Sequence, residues 1–140
     1  MVTKMAENSA KVEFQNVSFW YSTKQILFDI SLKIVPNKIT ALIGPSGCGK
    51  STLLRAINRM NDLIQIARIE GKVLYDNKPV YAKEVDVVNL RRSIGMVFQK
   101  SNPFPLSIFD NVAYGLRLQH IKDKKKIEAV VMESLQKADL

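Results

Sequence analysis

Apolar residues recur at every second position early in this chain and at every third or fourth position later. Val12, Phe14 and Val17 to Tyr21 alternate with polar residues, as do Ile30, Leu32 and Ile34, so two half-buried strands are predicted, joined by a turn at Ser22-Thr23-Lys24. A second turn at Pro36-Asn37-Lys38 leads into the continuous run Ile39-Thr40-Ala41-Leu42-Ile43, the pattern of a buried strand. Leu53, Leu54, Ile57 and Met60 then follow at helical spacing. Gly71 to Tyr75 reads as a further strand, closed by the turn Asp76-Asn77-Lys78-Pro79. Val87, Val88 and Leu90 suggest a short helix entered from Asp86, and Ile94 to Phe98 a second buried strand ending on Gln99. The prolines of Asn102-Pro103-Phe104-Pro105-Leu106 exclude helix. Ser107 and Asp110 then form a capping box for a helix striped by Ile108, Val112 and Leu116. A last helix, around Lys125 to Ala138, sets Ile127, Val130, Val131 and Leu135 on one face, and the small, polar residues 1–10 predict a loose arm. Strands and helices in this order make an α/β fold.

Between Ile43 and the first helix stands Gly44-Pro45-Ser46-Gly47-Cys48-Gly49-Lys50-Ser51-Thr52. Strand, glycine-rich loop and helix together form a phosphate-binding loop, and a chance match in a chain of this size occurs roughly once in a few hundred. Glycines at 44, 47 and 49 are expected to take positive φ, so that successive N–H groups point at one anion. The helix beginning near Gly49 aims its free N–H groups and its dipole at the same place. Lys50 would reach the β- and γ-phosphates, Ser51 would ligate Mg²⁺, and Thr52 would contact the α-phosphate side. The predicted ligand is Mg-ATP or Mg-GTP.

Composition narrows the picture. With 140 residues, 46 % of them hydrophobic, the chain suits one domain with a core. A net charge of +8 favours an acidic partner: nucleic acid, an anionic membrane surface or the nucleotide itself. Much of the excess lies in the Lys122 to Lys126 cluster, which reads as a solvated face. No basic stripe is studded with aromatics, so no nucleic-acid partner is expected. The single cysteine, Cys48, excludes an internal disulfide and fits a reducing compartment. It reads as a small filler at a variable loop position, with a redox-sensitive site as the alternative. Neither a bilayer-spanning run nor a signal peptide is evident, so a cytoplasmic location is expected, with membrane contact only through a partner. Asp76 reads as a turn aspartate and His120 as a solvated side chain.

The order of Tyr21, the loop Gly44 to Thr52, and Gln99 in Gly95-Met96-Val97-Phe98-Gln99 resembles the first half of an ABC-transporter ATPase. Two longer segments, Ile57 to Leu63 and Val97 to Gly115, resemble the ATP-binding subunits of bacterial phosphate importers. The resemblance runs from about Val12 to Leu140. It implies a P-loop NTPase core with an N-terminal antiparallel β subdomain, divided into core over 11–106 and the start of a helical subdomain over 107–140, truncated there. It implies that Tyr21 stacks on adenine, that Trp20 faces away, and that Gln99 joins Mg²⁺ and the attacking water. Lys50 and Gln99 would then be the catalytic residues, with Ser51 and Gln99 as metal ligands. It further implies a second ATP-binding subunit, two transmembrane permease subunits and a peripheral position on the inner face of the membrane. The Pro-Phe-Pro-Leu segment with Ile108 and Phe109 would receive a cytoplasmic helix of the permease. A second acid for Mg²⁺, a water-positioning carboxylate, the glycine-rich signature and a histidine of the family are not matched, so this chain is expected to hold nucleotide without turning it over. Unpaired apolar strands predict poor solubility or association. Two other readings stay open. A small P-loop kinase suits the length and the Gly-Pro-Ser-Gly loop but not the upstream strands or the Gln99 segment. A non-catalytic basic module would use the loop merely to hold an anion.

Overall fold

Strand β1 (Val12–Tyr21) pairs on one side with β2 (Lys24–Ile34) and on the other with β3 (Ala67–Tyr75); a two-residue β4 (Lys78–Pro79) completes an antiparallel sheet in the order β2-β1-β3-β4. These elements come from a computed structural model that describes residues 10–139. The arm expected over residues 1–10 therefore lies outside the described residues except for Ala10, which is buried.

The alternation of β1 is interrupted where the sequence puts Gln15 and Asn16 between apolar positions. Asn16 takes a left-handed φ of 50° and bulges the strand, shifting its register against both neighbours. The bulge needs a residue without a side chain opposite. Gly71 of β3 has φ +86°, and a Cβ there would lie 2.3 Å from the Asn16 carbonyl oxygen. After this correction Val12, Phe14, Val17 and Phe19 all face inward, joined by Leu27 of β2 and Val73 of β3.

Helix α1 (Lys50–Ile57) covers that face with Leu53, Ala56 and Ile57. Each buried phenylalanine contributes about 1.5–3 kcal/mol relative to exposure. Leu54, expected in the same stripe, is 47 % exposed, because it stands about 100° round the helix from Leu53. Met60 opens a turn of 3-10 helix (Met60–Leu63) rather than continuing α1. Asp76 and Asn77 both adopt left-handed φ in the β3–β4 hairpin, and Asp76 pairs with Lys11 at 2.7 Å, as befits a turn aspartate. Helix α2 (Val87–Ser93) starts where Asp86 accepts hydrogen bonds from the Val88 and Asn89 amides.

Two expected strands are not formed. Ile39–Ile43 and Ile94–Phe98 are irregular, with Ile39, Ile43 and Val97 almost fully exposed. A strand buried on both faces exists only where neighbours complete its hydrogen-bond ladder and cover its sides. Neither run pairs with the described sheet.

The described residues form two compact units, the first reaching Met96 and the second starting at Val97, each with its own apolar cluster. In the second, α3 (Ile108–Leu118) and α4 (Lys124–Lys137) pack around Ala113, Ile127 and Val131, with Val130 half-buried and Leu135 packed against the cluster. Ile108 lies outside this stripe and is exposed. Ser107 caps α3 as expected: its Oγ accepts from the Asp110 amide and donates to the Asp110 carboxylate. His120 is exposed in the turn that follows.

The Ser107 hydroxyl, and then Arg117, hold the Asp110 carboxyl below the usual carboxylate range. A depressed pKa stabilises the fold above the unfolded value, and that gain is lost as pH falls through the folded value. Acid titration followed by far-UV ellipticity should therefore show the parent protein losing its stability advantage over Asp110→Asn across that window. Parallel curves for the two proteins would contradict this.

Candidate functional site

The phosphate-loop residues lead directly into α1, whose start differs from those of α2, α3 and α4. Asp86, Ser107 and Asp123 each cap their helices with a side-chain oxygen, whereas Gly49 caps α1 with none, and no acidic residue lies in its first turn. The α1 N–H groups and the positive end of its dipole are thus left to something outside the helix. Gly49 takes φ 96°, a conformation that favours glycine, and a Cβ there would lie 2.7 Å from Leu27 Cδ2 and 3.3 Å from both Ile26 Cγ2 and the Ile26 carbonyl oxygen. Gly47 is also left-handed, at φ 81°. Gly44 is not, contrary to expectation. A Cβ there would lie 2.9 Å from Sγ of Cys48, an exposed side chain free to turn away.

Lys50 folds back across the loop. Its ammonium donates to the carbonyls of Gly44 at 2.7 Å and Pro45 at 2.6 Å, with Cys48 Sγ at 3.5 Å. These neutral partners hold the charge in place without cancelling it. Among the described ion pairs none involves Lys50. An uncompensated ammonium beside an uncapped helix start is suited to a polyanion. Pro45, Ser46, Cys48 and Ser51 are exposed along the loop, whereas Thr52 turns inward and is buried.

Tyr21, at the end of β1, comes to this same corner. Its hydroxyl lies 3.5 Å from Thr52 Oγ1 and donates to Asn61 Oδ1 at 3.3 Å, and its ring meets Phe19 edge-on at 4.9 Å. Trp20 points to the other face, under the Arg68 guanidinium at 4.2 Å. The resemblance implies a site role for Tyr21 beside the loop, and in the first unit its hydroxyl stands near Thr52. Gln99 belongs to the second unit, where it is exposed just before the proline segment. Asn61 and Asn111 were not singled out by periodicity or motif. Asn111, on α3, latches the proline segment by accepting from the Phe104 amide at 2.8 Å and donating to the carbonyls of Phe104 and Leu106.

The loop is an open surface. A cleft of about 420 Å³ lies elsewhere in the first unit, lined by Tyr75, Val80, Asp86 and Asn89 and by no residue of the loop. No cluster of three His, Cys, Asp or Glu side chains able to hold a metal ion occurs among the described residues.

Comparison with known proteins places this geometry in context. A family model described as "ABC transporter" matches residues 27–140. The phosphate import ATP-binding protein PstB of Idiomarina loihiensis is 55 % identical over 135 residues, covering 96 % of this chain and 49 % of the relative. The protein of that name from Pseudoalteromonas translucida is 56 % identical over 129 residues, covering 92 % and 47 %. The chain thus spans about half the length of the curated relatives it matches. Among solved structures, cbiO1 of Clostridium perfringens, part of the ABC transporter complex cbiONQ, superimposes with a TM-score of 0.77 at 27 % identity, over 95 % of this chain and 52 % of its own. A bacterial Atm1-family ABC exporter with ATP bound gives a TM-score of 0.64 at 33 % identity, over 81 % of this chain and 20 % of its own.

Gly49→Ala should cost about 1–2 kcal/mol for the left-handed conformation alone, before its contact with Leu27. Gly95→Ala meets nothing within 4 Å and should stay within about 0.5 kcal/mol of the parent. Urea unfolding midpoints check this, and equal midpoints for the two variants would contradict it.

Proposed function

The chain belongs to the ABC transporter family, and from that premise we propose that it holds the phosphates and adenine of ATP as part of the ATP-binding subunit of a phosphate importer. The observation that carries this reading is the convergence at one corner of the uncapped α1 start, the unpaired Lys50 ammonium and the Tyr21 ring. In this reading Lys50 takes the β- and γ-phosphates, the amides from Gly47 to Ser51 take the remaining phosphate oxygens, and Tyr21 faces the base. The relatives named for phosphate import support the choice of transported ion.

Ser51 offers a hydroxyl oxygen, a donor that suits Mg²⁺ arriving with the nucleotide and keeping several waters. When bound, that ion would neutralise charge on the β- and γ-phosphates. Ser51 stands exposed on the first turn of α1, in a position to offer its hydroxyl. The family pattern assigns Gln99 the γ-phosphate-sensing and water-positioning role. We assign residues 11–106 to the phosphate-loop core and 107–140 to the start of a helical subdomain.

In the whole transporter, ATP binding and hydrolysis would close two such subunits and drive two permease subunits. The chain would sit on the cytoplasmic face of the membrane through those partners; no helix among the described residues is long and apolar enough to cross a bilayer. Phe104, Leu106 and Ile108 expose apolar surface in the second unit, suited to receiving a permease helix.

Mg-ATP titration of the chain and of Lys50→Ala, with phosphate release measured alongside, tests the assignment. Loss of the charged partner should weaken ATP by about tenfold to a hundredfold, and neither protein should release phosphate. Unchanged affinity in Lys50→Ala would overturn the site, and lysine-dependent release would overturn the account of this chain as a nucleotide holder.

A further inference from the structure

Asn61 lies outside the phosphate-loop motif, yet it is among the most completely buried side chains of the first unit, at 1 % exposure. A buried amide is stable only when its donors and acceptors are engaged. Asn61 Nδ2 donates to the Thr52 carbonyl at 2.9 Å, and its Oδ1 accepts from the Tyr21 hydroxyl at 3.3 Å. Because that hydroxyl also lies 3.5 Å from Thr52 Oγ1, three residues form a closed ring. Thr52 is gripped at its main chain by Asn61 and approached at its side chain by Tyr21.

The turn that delivers Asn61 is itself held. Arg59 takes a left-handed φ of 59°, and its Nε donates to Asp62 at 2.8 Å. From α2, Arg91 donates to the carbonyls of Asn58 at 3.2 Å and Arg59 at 2.7 Å. Asn58 Oδ1 accepts from the Met60 amide at 3.3 Å. A leucine at position 61 would share the branched shape of the amide without needing these partners. What the amide adds is a fixed distance between the end of β1 and the start of α1.

We propose that Asn61 is a positioning residue: by tethering the Tyr21 hydroxyl to α1 it sets the ring against the phosphate loop, and so governs how strongly the site prefers a purine nucleoside triphosphate over bare polyphosphate. The inference rests on the assignment of Tyr21 as the surface for the base. A ring fixed at its strand end and at its hydroxyl meets the base already oriented, whereas an untethered ring must be ordered on binding.

The test compares affinities for Mg-ATP and Mg-tripolyphosphate in the full chain and in Tyr21→Ala, Tyr21→Phe, Asn61→Leu and the double variant Tyr21→Phe/Asn61→Leu. Tyr21→Ala should lose the preference for ATP while keeping tripolyphosphate affinity. Asn61→Leu and Tyr21→Phe should each reduce the ATP-over-tripolyphosphate ratio by about two- to tenfold, and the double variant should fall no further than either single one. Because Tyr21→Phe removes only the hydroxyl, it decides the matter even if Asn61→Leu does not fold. A purely structural Asn61 would weaken both ligands in proportion and leave the ratio unchanged, which overturns the proposal. If Tyr21→Ala lowers the ratio but Tyr21→Phe and Asn61→Leu do not, the tether is refuted while the role of Tyr21 stands. An unchanged ratio in Tyr21→Ala removes both.

Discussion

The close approach of Gly49 to β2 is the constraint on which the rest of the site depends. With no side chain at this left-handed residue, the first turn of α1 lies flush against Ile26 and Leu27. The same contact sets Leu53, Ala56 and Ile57 onto the sheet and leaves the helix start open. A serine or aspartate cap would stabilise α1 by about 1 kcal/mol, but it would occupy the N–H groups that an anion needs. Helices α2, α3 and α4 take such a cap and α1 does not. Binding capacity thus arises from an interaction that the helix forgoes, and core packing makes up the loss.

Around this start, polar side chains act as ties between elements. Arg91 binds α2 to the turn after α1, Asn61 binds that turn to α1 and β1, and in the second unit Asn111 binds the proline segment to α3. Each tie joins segments that the apolar pattern alone would leave loosely related. A site built from loop and turn residues gains its rigidity from such ties.

Much of this was legible in the residues. Period-two alternation located β1 and β2, and cap chemistry located α2 and α3, because these signals are local and need no distant partner. Of the loop glycines, Gly47 and Gly49 take the expected left-handed φ and Gly44 does not. Where the reading failed, the cause was not local. Ile39–Ile43 and Ile94–Phe98 have strand composition, but a strand forms only against neighbours, and neither run pairs with the described sheet. Asn61 was illegible for a different reason. Its value lies in two partners, nine and forty residues away, which no periodicity encodes.

Amide chemical-shift mapping on adding Mg-ATP tests the central claim most directly, because it reports where the anion sits without assuming any residue's role. The account predicts the largest shifts at Gly47, Gly49, Lys50 and Ser51, at the open start of α1. Shifts concentrated instead on the Lys122 to Lys126 cluster, with the loop amides unmoved, would show that the net charge and not the loop holds the nucleotide, and would contradict the account.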